Sequence, residues 1–334
     1  MFVRPPAPSC PAGPTHGAGH ARGLCPSRRP VTPARLLSND GPQPTSRKLR
    51  RATCARSTTR RDFLLAAAAA APCTCAVCLA QTQAGKDAYK RFFAQALATT
   101  MDEYEERVGP RKAALLGSNL AALAAAAGRS PSRRLAVLDL GVGAAPNAPY
   151  LVAVPGMGRV TGVDPNPFMF PYARARAADA GFLVACGEGT EDGGDDASAS
   201  PSHRPTFTTV RAAAEGLPFP DASFDAVVCT LVLCSVTSVQ DTLAEAARVL
   251  RPGWRFLFSE HTAAGWSEAP LIRAAQALFD PLQQALADGC HLTRDPEAGL
   301  AAAPGLRLVE VERFTVPGMA FIGPHVAGVA VKKE

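Results

Sequence analysis

The first 61 residues hold a single acidic side chain, Asp40, and few large apolar ones. Without apolar bulk this segment cannot bury enough surface to offset its chain entropy, so residues 1–61 are expected to be disordered. Twelve of the 35 Lys and Arg fall there, which makes the formal net charge of +6 misleading. The rest of the chain carries 23 basic against 28 acidic residues, a net of −5. The basic excess thus lies outside the folded part, which excludes reading that part as a nucleic-acid binder. Also missing is any His or acid cluster beside Cys73, Cys75 and Cys78, whose C-x-C-x-x-C spacing otherwise suggests a metal. In their apolar surroundings these read as small hydrophobes, and no metal site is expected. Cys186, Cys229, Cys234 and Cys290 are too scattered to propose a disulfide.

An Arg- and Ser-rich leader poor in acids has the composition of an organellar transit peptide. Arg60-Arg61 then precede an apolar stretch from Phe63 to Ala80, closed by small residues. Residues 62–80 therefore resemble a twin-arginine export signal. The two addresses in series predict a chloroplast protein directed toward the thylakoid, with peripheral association with the thylakoid membrane or plastid lipid particles. A spanning helix needs about 20 residues, and this stretch is shorter and contains Pro72, so targeting is favoured over a retained anchor.

In the stretch KDAYKRFFAQALATTMDEYEER, Tyr89, Phe92, Phe93, Leu97, Met101 and Tyr104 fall on one helical stripe. This predicts a helix over Lys86–Arg107, stopped by Gly109-Pro110. A second, Ala/Leu-rich helix follows to about Gly128, and the two form an N-terminal helical cap over 86–128. From 129 onward the period changes. Short apolar runs at 135–140, 159–164, 224–233 and 255–261, with TFTTVRA, LRLVEVERFTV and HVAGVAVKK, read as seven strands alternating with helices. That alternation predicts an α/β domain over 129–334: a Rossmann-like, doubly wound, mostly parallel seven-stranded sheet with an antiparallel last strand. Residues 187–205, acidic and Gly/Ser-rich, read as a flexible surface insertion.

Such sheets bind ligands beyond the carboxyl ends of their strands, beside the first strand. There the sequence reads Asp139-Leu140-Gly141-Val142-Gly143-Ala144-Ala145-Pro146. Asp164 ends the second strand, placed to accept ribose hydroxyls. A dinucleotide loop wants a third glycine where Pro146 stands, and Asp139 would repel a pyrophosphate. An acid in that place suits a cationic ligand carrying an ammonium and a sulfonium, which is S-adenosylmethionine. Alanine at 145 is strained by roughly 1 kcal/mol or more if its φ is positive. A right-handed conformation is expected there if binding is normal.

The strings DLGVG, VDPNP, LPFPDASFDAVV and RVLRPG resemble the motif series of class I S-adenosylmethionine-dependent methyltransferases of the type 11 group, over about residues 133–262. VVCTLVLCSV, SEH, LADGCHLTR and GPHVAGVAVKK further resemble the methyltransferase-like-seven family, whose animal members are thiol S-methyltransferases on the endoplasmic reticulum and lipid droplets. The likeness leaves out residues 1–80. It implies that Asp139 and the backbone of Gly141, Val142 and Gly143 face the methionine part of the cofactor, and that Asp164 holds the ribose. It places the backbone of Ala213, Ala214 and Glu215 against the adenine, and Cys229 beside the methionine end.

A thiol acceptor must react as thiolate, which a base or a positive charge favours. His261 and His291 are the candidate bases and Arg294 the candidate charge. Cys229 and Cys234 read as core packing rather than nucleophiles. The leading expectation is methyl transfer to a small apolar thiol. A prenylquinone or other lipid-soluble ring is the alternative acceptor. A cofactor-binding, membrane-associated protein without turnover is the alternative of another class, and a nicotinamide oxidoreductase is disfavoured by Asp139 and Pro146.

Overall fold

In a computed structural model, the structure describes residues 82–127, 134–184 and 204–334. The transit and twin-arginine segments, Cys73, Cys75 and Cys78, and nearly all of the acidic insertion lie outside the described residues.

Helix α1 (Gln83–Thr100) is opened by Thr82, whose hydroxyl accepts the Gly85 amide. It stops at Met101, earlier than the sequence predicts. The Thr99 and Thr100 hydroxyls there bond back to the carbonyls of Gln95 and Ala96, competing with the helical ladder. Helix α2 (Asp102–Ala127) starts at once, with Asp102, Glu103 and Glu105 in its first turn complementing the dipole. It runs straight through Gly109-Pro110, the expected stop. An interior proline costs about 3 kcal/mol. Tyr104, Val108, Leu116, Leu120 and Leu123 lie buried on both sides of it, and their burial at about 1.5–3 kcal/mol each outweighs that cost.

The sheet has eight strands in the order β3-β4-β2-β1-β5-β6-β8-β7. They are β1 (Leu135–Leu140), β2 (Met157–Asp164), β3 (Leu183–Val184), β4 (Thr206–Arg211), β5 (Phe224–Thr230), β6 (Leu250–His261), β7 (Leu306–Thr315) and β8 (Pro324–Lys332). The strand beyond the expected seven is the two-residue β3, which pairs with β4. All pairings are parallel except those of β8, which is antiparallel to both β6 and β7. The β6–β8 register runs from His261 opposite His325 to Arg255 opposite Val331. The far end of β8 thus lies at the rim opposite the carboxyl ends of the parallel strands.

Strand β1 is buried throughout, and its side chains alternate between two apolar layers, as a pleated strand must. Leu138 and Leu140 pack on the side of helices α5 (Val239–Val249) and α7 (Pro296–Ala302). Leu135 and Val137 pack against α2, α3 (Ala148–Val152) and α4 (Phe170–Ala180). The doubly wound architecture read from the sequence is the one observed. The remaining helix, α6 (Pro270–Leu286), follows β6.

Candidate active site

A cavity of about 310 Å³ opens at the carboxyl ends of β1, β2, β4 and β5. Its floor is the loop after β1. Gly141, Gly143 and Ala145 there have φ of 61°, 50° and 56°, so every second residue is left-handed. A Cβ on Gly141 would meet Val232 Cγ2 at 2.5 Å, so this glycine is needed for close approach as well as conformation. Ala145 takes the left-handed form against the right-handed expectation. It is fully buried in the layer under α3, and its amide donates to the Val142 carbonyl at 2.8 Å. Packing therefore holds the strained angle, at a cost of about 1–2 kcal/mol to the folded chain.

Asp164 lines the cavity. Its Oδ2 accepts the Gly143 amide at 3.0 Å and its Oδ1 the Asn166 amide at 2.8 Å, which ties the glycine loop to β2. Burial pushes its carboxyl up to about 6, partly offset by those two amides. Gly141, Val142, Gly143, Ala213, Ala214 and Glu215 all line the same cavity. Glu215 also accepts the Thr237 amide at 2.6 Å, fixing the loop after β4 to the start of α5.

Asp139 and Cys229 are set one layer back from the cavity wall. Asp139 points into the α2–α3 layer, where Asn147 Nδ2 donates to its Oδ1 at 2.9 Å and to Thr230 Oγ1 at 3.0 Å. Its Oδ2 is buried without a partner among the described residues. Burial pushes this carboxyl up to about 7, against the Asn147 hydrogen bond and the charge of Lys112. Cys229 is fully buried, and its thiol donates to Glu260 Oε1 at 3.4 Å. Thr230 and Leu231 reach the cavity in its place.

Glu260, which no local sequence pattern marks, shapes the opposite wall. Its Oε1 accepts the Val232 amide at 3.0 Å and its Oε2 the Leu233 amide at 3.1 Å. These bonds pin a tight turn that begins with Leu231 at φ 56°. Burial pushes the Glu260 carboxyl up to about 7. Lys112 is likewise unmarked by any local pattern. It lines the cavity from α2, 3% exposed, and donates to both Glu105 oxygens at 2.8 and 2.9 Å. Burial lowers its ammonium pKa, while Glu105 supports the charge. Both signals lay in the sequence as isolated charges, and only the tertiary fold aims them at the site.

The expected bases are elsewhere. Neither His261 nor His291 lines the cavity. His261, 4% exposed, has Nε2 2.9 Å from Cys290 Sγ. His291 is half-buried, with Nδ1 3.6 Å from an Asp280 oxygen. Arg294 holds the carbonyls of Leu233 and Val236 at 2.8 and 2.6 Å, a structural role. Cys234, His261 and Cys290 converge, with their potential ligand atoms all within 4.8 Å of one another, where the sequence gives no reason to expect a metal site.

The residues present fit S-adenosylmethionine. The unpartnered Asp139 oxygen puts an acidic group just behind the wall that would face a cationic methionine end, and Asp164 stands at the carboxyl end of β2, where ribose hydroxyls are accepted. Pro165, Met169, Ala213 and Ala214 give apolar walls for an adenine.

Comparisons with known proteins agree. A family described as "Methyltransferase domain" matches residues 138–258. Thiol S-methyltransferase TMT1A of Homo sapiens is 32% identical over 250 residues, covering 73% of this chain and 87% of that protein. TMT1B of the same species gives the same figures. Demethylmenaquinone methyltransferase of Tropheryma whipplei is 33% identical over 137 residues, 41% of this chain and 46% of that protein. Among solved structures, the YcgJ protein of Bacillus subtilis superposes with a TM-score of 0.44 at 19% identity, over 65% of this chain and 99% of that one. The chain belongs to the class I S-adenosylmethionine-dependent methyltransferases, in the family that includes the thiol S-methyltransferases TMT1A and TMT1B.

Proposed function

We propose that the enzyme methylates the sulfur of a small apolar thiol. The observation that carries this reading is the wall of the cavity. Phe93, Leu97, Met101, Leu231, Val232 and Val236 make it apolar, and the buried cation of Lys112 stands among them. The similarity to the two human thiol S-methyltransferases supports it.

The bound cofactor supplies a methyl group activated on a sulfonium. The chain's task is to align the acceptor with that carbon and to exclude water. Phe93 and Leu97 of α1 line the cavity and help to exclude water from it. The Glu260-pinned turn fixes Leu231 and Val232 against the acceptor, and Lys112 favours the thiolate, the reacting form. Methyl transfer to a panel of alkyl thiols and reduced prenylquinones tests the reading. Turnover of the thiols supports it, and turnover of the quinols alone overturns it.

The enzyme also associates with a lipid surface through α6. Leu271, Leu278, Leu282 and Leu286 form one exposed stripe there, 55–85% exposed, with Trp266 exposed just before the helix. An apolar stripe ending in tryptophan suits the boundary of a bilayer. Co-sedimentation with phospholipid vesicles should fall several-fold on L278E/L282E, with no change in oligomeric mass. A change in mass alone would indicate self-association instead.

A further inference from the structure

Cys234, His261 and Cys290 come from three separate elements: the turn after β5, the last residue of β6 and the segment after α6. Asp288 and Gly289, at φ 49° and 78°, reverse the chain at the end of α6 and direct Cys290 inward. The His291 amide donates to the Cys234 carbonyl at 2.8 Å, binding the two cysteine segments together. Arg294 adds its bonds to the carbonyls of Leu233 and Val236. The three side chains are 2%, 4% and 8% exposed in residue terms, and their ligand atoms all lie within 4.8 Å of one another. The methyl-transfer site uses none of them.

We propose that Cys234, His261 and Cys290 form a binding site for zinc or a cation of its class, with one position left for a fourth ligand. The donor set is the one such ions favour: two sulfurs and an imidazole nitrogen. Tetrahedral zinc spaces its ligands about 3.6 Å apart for sulfur and nitrogen and about 3.8 Å for two sulfurs. Nε2 and the Cys290 sulfur, now at 2.9 Å, need to separate by only roughly 0.7 Å to reach it. Binding forms two metal–sulfur bonds and one metal–nitrogen bond, and releases the two thiol protons to solvent. The filled site is then neutral, two thiolates against a divalent cation, which is the charge balance a buried position requires. Its structural effect follows from the ligands' places. The ion clamps the turn carrying Leu231, Val232 and Ser235, which line the cofactor cavity, to β6 and to the segment after α6. The site is independent of which acceptor the enzyme methylates.

The test uses the full chain, reduced, loaded with zinc alone and freed of excess metal. One zinc per chain is expected by elemental analysis. Its X-ray absorption should fit two sulfurs at about 2.3 Å and a nitrogen at about 2.0–2.1 Å. Exchange with cobalt should give a near-ultraviolet thiolate-to-metal band. C234A and C290A should each abolish the band, whereas the triple variant C73S/C75S/C78S should keep it. If either cluster variant fails to fold, the absorption fit on the unaltered chain decides. Folded protein that retains no zinc and gives no cobalt band overturns the proposal. So does a band lost in the leader triple variant but kept in C234A/C290A, or a Cys234–Cys290 disulfide found on peptide mapping of protein that was never reduced. Because the readout is metal and not methyl transfer, its failure leaves the thiol reading intact.

Discussion

Replacing Asp139 by Asn should stabilise the free enzyme and weaken its grip on the cofactor. The swap keeps the shape and the acceptor for Asn147 Nδ2, and puts an amide where the unpartnered Oδ2 now lies. In the folded chain burial raises this carboxyl from 3.8 to about 7. Such a shift corresponds to roughly 4 kcal/mol of disfavoured charge above neutral pH. Relaxation around the site leaves on the order of 2 kcal/mol of that to be gained. A gain of that size raises Tm by roughly 4–8 °C for a domain of this length. The sign follows from the raised pKa. The folded state holds the proton between 3.8 and about 7, so the native enzyme loses stability as pH rises through that window. The advantage of D139N should therefore be full at pH 8, fall to under half of that at pH 5, and vanish only below about pH 3.8. For the cofactor the effect reverses, since a cation separated from the carboxylate by one layer of atoms gains on the order of 3 kcal/mol from it. Its loss corresponds to a Kd raised about 100-fold. Thermal unfolding at pH 5 and pH 8, and calorimetric titration with S-adenosylmethionine at pH 8, read both effects. A variant that melts lower than the native enzyme at pH 8, or that binds the cofactor within threefold, refutes the reasoning.

Three other changes probe the cavity walls. Gly141→Ala meets Val232 at 2.5 Å and forces a side chain into φ 61°. It should lose about 2–4 kcal/mol by denaturant unfolding and at least tenfold in cofactor affinity. In Ala145→Gly, relief of about 1–2 kcal/mol of strain is offset by a lost methyl worth about 0.8 kcal/mol and a freer unfolded chain. Stability within about 1 kcal/mol and an unchanged Kd are expected, and a large drop on denaturation would show that the strain is absent. Glu260→Gln leaves one of the Val232 and Leu233 amides without an acceptor, costing about 1–3 kcal/mol. It should weaken cofactor binding through the loosened turn, measured by the same titration.

The central strands were legible because a buried parallel strand is a nearly continuous apolar run, as LAVLDL and FDAVVCT are apart from one acid each. The glycine loop and Asp164 were legible for a similar reason: their spacing is local and fixed by one β-α-β unit. Gly109-Pro110 misled because the cost of a proline is local, while what offsets it is contact with a sheet still 25 residues ahead in the chain. The orientation of Asp139 was hidden by the strand's alternation. A residue at the carboxyl end of β1 can face the ligand or the layer beneath it, and Asn147 decides which. As a set, Cys234, His261 and Cys290 were not legible, although His261 stood out singly, for no spacing rule links three residues that meet only when β5, β6 and the segment after α6 are folded.

The direction of β8 has a mechanical consequence. The strand lies between β6 and β7 and is paired along both edges. Its last residues, held by Lys332 to the carbonyls of Arg248 and Leu250, emerge on the side of the sheet away from the cavity. A tether attached beyond Lys332 leaves the cavity mouth facing outward. Tension on that tether must break both ladders at once before the strand moves, so a surface-anchored enzyme should keep its site under load.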